Sequence, residues 1–279
     1  MHPKPDSVLP SAQQVDDCCR DVIRTGFGRI AIPLAALEQF ERISGEFAAL
    51  DGDVKQSYSF AEDTDGFLPF ASEYARSPDR PDQCERFCYW HAHRARRAGH
   101  PFHTSAFVRA MAEYELAIHG VAQAVLDAIC AAFGAAALGS VRAHSYLQFC
   151  AYAHADGAPR AFAQDPHEDG HLLSLVKPGG DGLALVHGAR ELSPVRLLDT
   201  EVAVLAGSLL STLSDQAIAA AYHAVLVTPR VRERRSLMYF VNPDTHRPAL
   251  SFHRREPLDL QGLMQARHRG FGNRALSLG

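Results

Sequence analysis

Residues 166–170 read Pro-His-Glu-Asp-Gly, residues 222–224 read Tyr-His-Ala, and residues 234–236 read Arg-Arg-Ser. The fold and the chemistry predicted for this chain depend on these three segments. The first two supply two histidines and one aspartate in the order H-x-D…H, which is the residue set of a 2-His-1-carboxylate metal site. Such a site leaves coordination positions open on a non-haem Fe(II) for oxygen and a co-substrate.

The candidate metal ligands are His167, Asp169 and His223, and their spacing suits strands. At the end of an extended strand, residues i and i+2 point the same way, so His167 and Asp169 can reach one metal while Glu168 points elsewhere. His223 lies far enough along the chain to return on another strand of the same barrel. Zinc could also occupy two histidines and a carboxylate, so the three residues alone leave the metal open.

The composition of the 279 residues, 47% hydrophobic and 22% charged, is ordinary for a globular protein. The formal charge of −4 gives no global electrostatic reason to expect nucleic acid or a membrane surface as a partner. The N-terminus lacks the apolar region of a signal peptide, and no uninterrupted apolar run reaches membrane-spanning length. We therefore expect a cytoplasmic protein with no membrane partner.

Six cysteines are spaced too irregularly for a secreted disulfide scaffold. Cys84 and Cys88 are four residues apart, which would suit one face of a helix. No second Cys/His pair at the spacing of a zinc finger accompanies them. The six residues are expected to be reduced thiols.

Helical periodicity dominates the first half of the chain. It predicts a helix from a Ser11 N-cap to Gly26, a short strand over 28–33, a helix over 34–50 and a long bracing helix over 104–133. Residues 53–103 have weak periodicity and many turn formers, and they are expected to form irregular structure.

After residue 139 the apolar period changes to two. This period predicts short strands at 142–152, 171–176, 183–186, 195–198, 202–206, 222–228 and 235–241. The predicted fold is α+β and mainly β: a double-stranded β-helix core of the jelly-roll or cupin-like type, with N-terminal and bracing helices. We expect one domain over 1–279, with a helical part over 1–139, the jelly roll over 140–256 and a C-terminal segment over 257–279.

Residues 90–103 are rich in histidine and arginine. Charge runs of this kind are usually solvated, and no carboxylate lies within the run. A solvated basic loop is the expected structure, and the alternative is an arginine that meets an acidic substrate at the mouth of the site.

The motifs resemble the isopenicillin N synthase-like family of Fe(II)/2-oxoglutarate-dependent oxygenases. Beyond H-x-D…H and R-x-S, the resemblance includes an amphipathic helix, the Gly-Phe strand at 26–32 and a second helix. Lys55 and the Asp-Gly-Phe-Leu-Pro element at 65–69 follow in the same order. The resemblance covers nearly the whole chain, and its specific part lies in 146–243.

The resemblance implies that His167, Asp169 and His223 bind iron and that 2-oxoglutarate and O2 are co-substrates. Arg234 and Ser236 match the R-x-S element that holds the far carboxylate of 2-oxoglutarate. Such a contact has a physical basis, since a guanidinium is a planar fork matched to a carboxylate. The alternative for Arg234 is a surface residue in the basic run 230–235.

Tyr152 stands where a tyrosine of the family often touches 2-oxoglutarate. The chain departs from the family at Glu168, where many relatives have Thr or Ser, and in a slightly longer His-to-Arg gap. It also has Cys150 in place of a small amide, which puts one co-substrate contact in doubt.

If Tyr152 and Ser236 face inward, strand alternation makes further residues candidates, either for the lining of the substrate cavity or for the packed interior of the barrel. They are Tyr146, Gln148, Cys150, Met238 and Phe240.

The function implied is oxidation, by default hydroxylation, of a small-molecule substrate derived from an amino acid or a natural product, with release of succinate and CO2. Desaturation, ring closure and epimerisation use the same chemistry. One alternative is an isopenicillin N synthase-type oxidase that takes its electrons from the substrate without 2-oxoglutarate. Another, from a different class, is a non-catalytic barrel that serves as a binding protein.

Overall fold

Fourteen strands and six α-helices make up the described part of the chain. The computed structural model describes residues 9–60, 64–153, 160–187 and 191–270. The strands are β1 Phe27–Ala31, β2 Ser59–Phe60, β3 Asp65–Leu68, β4 Cys84–Trp90, β5 Tyr146–Tyr152, β6 Phe162–His167, β7 Leu173–Gly179, β8 Leu183–His187, β9 Glu191–Pro194, β10 Glu201–Ala206, β11 His223–Leu226, β12 Arg235–Val241, β13 Ala249–Leu250 and β14 Pro257–Leu258. The helices are α1 Ala12–Thr25, α2 Leu34–Ala49, α3 Gly52–Ser57, α4 Ala106–Ala132, α5 Ser208–Leu213 and α6 Leu260–Gly270.

Two antiparallel sheets form the core. The major sheet has the strand order β1-β10-β7-β12-β5-β4-β3-β2, and the minor sheet has the order β6-β11-β8-β9. Strands from both halves of the chain share the major sheet, because β4 pairs with β5 and β5 pairs with β12. The predicted mainly β, double-sheet core with N-terminal and bracing helices is confirmed.

Strand alternation gives the major sheet a helix side and a cavity side. Phe87 and Phe149 pack on α4 and α2: the Phe87–Phe107 ring centroids are 4.6 Å apart, and Phe47 lies 5.0 Å from Phe149. The neighbouring residue Gln148 points to the other side, into the space between the sheets. The cavity side of β4 and β5 is therefore built from their even-numbered residues.

Helix α1 begins where the sequence predicts, and α4 begins at Ala106, two residues after its predicted start. Ser11 caps α1 through its side-chain oxygen, which accepts from the backbone N–H of Gln14, and the left-handed Gly26 ends that helix. By length and composition, α4 could also cross a membrane. Arg109 and Glu113 interrupt its sequence, so a search for uninterrupted apolar runs does not find it. In the fold α4 packs on α2 and the major sheet as a core helix.

Several predicted elements are wrong in detail. Residues 53–103 contain β2, β3 and β4. Cys84 and Cys88 therefore share one face of a strand and no face of a helix. Strand β4 was not predicted because it is buried along almost its whole length, so apolar and polar residues do not alternate. Residues 195–198 form no strand, since they cross from β9 to β10. The periodicity also gave no indication of β6, β9 or α5.

Candidate active site

His167, Asp169 and His223 converge between the two sheets. His167 ends β6, His223 begins β11, and the two are direct partners across the antiparallel ladder. The Asp169 carboxylate reaches both imidazoles, with Oδ1 3.5 Å from Nε2 of His167 and Oδ2 3.8 Å from Nε2 of His223. One ligand atom from each residue lies within 4.8 Å of the other two, and all three residues are buried. This geometry fits one cation held by two nitrogens and a carboxylate.

Backbone carbonyls orient both imidazoles. Nδ1 of His167 lies 2.8 Å from the Asp165 carbonyl oxygen, and Nδ1 of His223 lies 3.0 Å from that of Ala221. A carbonyl oxygen only accepts, so Nδ1 donates in each ring and Nε2 keeps the lone pair that a metal needs. The two rings are thus prepared to bind through Nε2.

The Asp169 carboxylate is ionised and held in place. Burial raises the pKa of its carboxyl, but His223 and His167 outweigh burial and hold that pKa well below its usual range. The Ser174 hydroxyl donates to Oδ2 at 2.5 Å. Ser208 at the start of α5 donates its backbone N–H to the Asp169 carbonyl oxygen at 2.8 Å. The H-x-D turn is therefore fixed by a strand and by a helix.

Gly207 packs directly against that turn. A Cβ on Gly207 would lie 2.0 Å from the carbonyl oxygen of His171 and 2.9 Å from that of Asp169. Only a residue without a side chain permits this approach of α5 to the candidate metal ligands.

An inner cavity of about 380 Å³, open space included, extends from the triad and is lined by Arg234, Ser236 and Tyr152. Arg234 is only 2% exposed. Its Nη1 donates to the carbonyl oxygens of Gly180 and Asp181, and its Nε has no hydrogen-bond partner among the described residues. Within that part of the chain no carboxylate forms an ion pair with Arg234. A buried guanidinium without a counter-charge is costly, so this cavity is suited to an anion.

Ser236 and Tyr152 complete the end of the inner cavity. The Ser236 hydroxyl lies 3.3 Å from the Tyr152 hydroxyl, and the Arg234 guanidinium carbon lies 4.9 Å from the centre of the Tyr152 ring. Arg234 is thus not a surface residue of the basic run. Its neighbour Arg235 points elsewhere, with Nη1 on the carbonyl oxygen of Arg232 at 2.9 Å.

An outer cavity of about 430 Å³, open space included, reaches His167 and Asp169 from another direction. Of the five candidate substrate residues, Tyr146 lines the outer cavity, Met238 lines the inner one, and Gln148 and Phe240 line both. Cys150 is buried but lines neither.

Sequence reasoning did not identify Glu73, Asp82, Arg86, Gln164 and His171, all of which line the outer cavity. His171 donates from Nδ1 to the side-chain oxygen of Asn242 at 2.7 Å, and burial lowers its pKa. Its position two residues after Asp169 was an available signal. Arg86, within a strand that itself was not predicted, gave none.

The histidine- and arginine-rich stretch is partly buried, in contrast to the predicted solvated loop. His93 is 3% exposed, and its Nδ1 lies 3.2 Å from Oδ2 of Asp65. Nη2 of Arg97 lies 3.1 Å from the same oxygen. The carboxylate partner comes from β3, which is distant in sequence, so the run by itself did not reveal it. None of these residues lines either cavity.

No protein-family model and no curated protein matches this sequence. Solved structures do match its fold. A full-length Neurospora crassa protein, crystallised with alpha-KG, has a TM-score of 0.72 at 18% identity, over 90% of this chain and 89% of that chain. A 2OG-Fe(II) oxygenase family protein of Caulobacter crescentus has a TM-score of 0.73 at 19% identity, over 92% and 95%. The rice dioxygenase for auxin oxidation has a TM-score of 0.73 at 16% identity, over 95% and 92%.

Proposed function

We propose that this chain, which has the fold of the Fe(II)/2-oxoglutarate oxygenases, is itself such an oxygenase. One observation carries the proposal: a convergent His-Asp-His triad lies beside a cavity with a buried arginine that has no counter-charge among the described residues. A binding protein without a metal has no need of the triad. Together they match the two charges that the reaction requires, a metal cation and a dicarboxylate.

The donor set fits iron. Nε2 of His167, the Asp169 carboxylate and Nε2 of His223 would hold Fe(II), and the open cavities leave room for further ligands. When bound, Fe(II) with 2-oxoglutarate supplies the oxidation, in which O2, 2-oxoglutarate and a C–H bond give succinate, CO2 and a hydroxylated product. Hydroxylation is the proposed outcome.

The protein's own groups position the co-substrate. Arg234 would hold the far carboxylate of 2-oxoglutarate, with the Ser236 and Tyr152 hydroxyls as additional donors. All three residues are buried, and ion pairs strengthen where water is excluded. The 2-oxo acid end would then extend toward the triad, since the inner cavity connects the two.

The outer cavity is the proposed substrate site. It borders His167 and Asp169, so a compound bound there would lie beside the candidate metal ligands. The Neurospora protein has been crystallised with thymine and with 5-formyluracil, which are small molecules of this kind. A small-molecule substrate, one domain and a cytoplasmic location are part of the proposal.

Succinate formation tests the proposal. The purified protein with Fe(II), 2-oxoglutarate and a panel of small metabolites should release succinate in a manner that depends on one panel member. Oxygen uptake that needs the substrate but not 2-oxoglutarate would favour the isopenicillin N synthase-type oxidase. Failure to bind a stoichiometric divalent metal would support the non-catalytic binding protein.

A further inference from the structure

We propose that Arg86 and Glu73 form a subsite that selects a neutral substrate with an amide edge, a carbonyl oxygen beside an N–H, over a carboxylate substrate. The inference rests on the proposed function and names the substrate class of the same site. Both residues line the outer cavity together with Asp82, next to His167 and Asp169. Arg86 lies on the cavity side of β4, opposite Cys150 of β5.

Arg86 is a buried cation with two carboxylate partners. It is 1% exposed. Its Nε lies 3.0 Å from Oε2 of Glu73, and its Nη2 pairs with the Asp82 carboxylate. Nη1 has no hydrogen-bond partner among the described residues, and the contact of Nε with Glu73 is an ion pair without hydrogen-bond geometry. The guanidinium is therefore neutralised but still has hydrogen-bond donors available.

The charges around Arg86 disfavour an anion. One guanidinium and two ionised carboxylates give a local charge of −1, and a protonated Glu73 would make that charge zero. Burial in fact raises the pKa of Glu73. In neither state is a positive charge left to meet a carboxylate of the substrate. Arg234 is the opposite case, since no described carboxylate pairs with it. The two buried arginines therefore serve different ligands.

The remaining hydrogen-bonding capacity matches an amide. The free N–H groups of Nη1 require an acceptor, and a carbonyl oxygen provides one without charge. The Glu73 carboxylate, whose side chain is 12% exposed, can accept an N–H beside it. An ammonium group would satisfy Glu73 but would leave Nη1 of Arg86 without an acceptor. An amide edge satisfies both.

The segment that carries Glu73 is fixed against the strand of the first metal ligand. The Asp82 N–H donates to the Glu73 carbonyl oxygen at 2.9 Å, and the Gln83 N–H donates to that of Ala163 at 2.7 Å. Arg80 also forms an ion pair with Asp165 at 2.7 Å. The subsite is therefore held at a set position relative to His167, as selection of a substrate requires.

Two matched pairs of probes test the selection by calorimetric titration. Uracil and orotate share one ring and differ by a carboxylate, and 2-piperidone and piperidine share a ring size and differ between amide and cation. We expect uracil to bind at least tenfold more tightly than orotate, and 2-piperidone more tightly than piperidine. Orotate binding as tightly as uracil, or piperidine binding more tightly than 2-piperidone, would overturn the subsite, and so would no binding of either amide.

Glu73→Gln tests the charge balance within one protein. Combined with Asp82→Asn, it is an isosteric change that removes both charges that neutralise Arg86. A positive charge is then left to meet a carboxylate, so the uracil-to-orotate affinity ratio should fall at least tenfold in the double variant. Glu113→Gln, an exposed residue of α4, is the matched control and should keep the wild-type ratio. An unchanged ratio in the folded double variant would contradict the proposal. If that variant does not fold, the wild-type ratios decide.

The titrations separate this inference from the proposed function. Each probe is titrated into metal-free protein and into protein loaded with Mn(II) and 2-oxoglutarate, without oxygen. Failure to bind Mn(II) would count against the oxygenase. Selection of acids over amides in protein that binds Mn(II) and 2-oxoglutarate would count against the subsite alone.

Discussion

At the scale of the residue, the site depends on matching each buried charge with a ligand or a partner. Asp169 is ionised between two imidazoles, Arg234 lacks a counter-charge among the described residues, and Arg86 has two. The same side-chain type thus has two roles, and only its neighbours distinguish them. Substitution with a matched control should separate these roles.

His223→Ala should remove metal binding. The substitution leaves two protein ligands where the site has three. Loss of a residue that only supports a metal ligand lowers metal affinity by up to about 100-fold. We therefore expect the affinity for Mn(II) to fall by at least about that factor. The measurement is a metal titration. His187→Ala, an exposed histidine at the end of β8, is the control. Retained affinity in His223→Ala would exclude the triad as the metal site.

Arg234→Lys should weaken 2-oxoglutarate binding by about tenfold or more, because a lysine keeps the charge and loses the planar fork. The affinity for Mn(II) should remain unchanged, since Arg234 is not a metal ligand. Arg235→Lys is the control, because this neighbour points away from the cavity. Equal effects of the two substitutions on 2-oxoglutarate affinity would contradict the assignment.

At the scale of the element, the site depends on how strands and one short helix meet. Strand β6 brings His167, β11 brings its cross-strand partner His223, and α5 supports the turn that carries Asp169. The close approach of α5 is possible because position 207 is glycine.

Gly207→Ala should displace the H-x-D turn and weaken metal binding, because its Cβ would meet backbone oxygens that cannot move independently. We expect a loss of stability of about 1–3 kcal/mol in denaturant unfolding, together with lower affinity for Mn(II). Gly45→Ala is the control. It lies in α2 with nothing near its Cβ, and it should be neutral or stabilise by up to about 1 kcal/mol. Normal metal affinity in Gly207→Ala would show that the turn adapts.

The sequence predicts the elements that have local signals. It does not predict the side-chain ion pairs whose partners are distant in the sequence. The capped helix α1, the period-two strands and H-x-D…H can all be read within short windows. The ion pair of Arg86 with Glu73, and that of Arg97 with Asp65, depend on tertiary contacts. No window around Arg86 or Arg97 contains the information that Arg86 is buried and that both side chains are paired.

At the scale of the whole molecule, ligands should stabilise the fold, because the site joins both sheets. A ligand at 100 times its Kd adds about 2.7 kcal/mol, which corresponds to a rise in Tm of roughly 5 °C for a chain of this size. Saturating Mn(II) with 2-oxoglutarate should produce such a rise in a thermal melt. The additional rise in Tm that 2-oxoglutarate causes should be absent in Arg234→Met. If this rise persists in the variant, 2-oxoglutarate binds elsewhere.

The two walls of the site come from different halves of the chain. The candidate metal ligands and Arg234 lie in the later part of the chain, in or beside β6, β11 and β12, whereas Glu73, Asp82 and Arg86 precede α4. The proposed oxidising site can therefore stay constant in evolution while the earlier segment changes to suit another compound. Proteins that share only the later half with this chain would be expected to catalyse the same kind of reaction on different molecules.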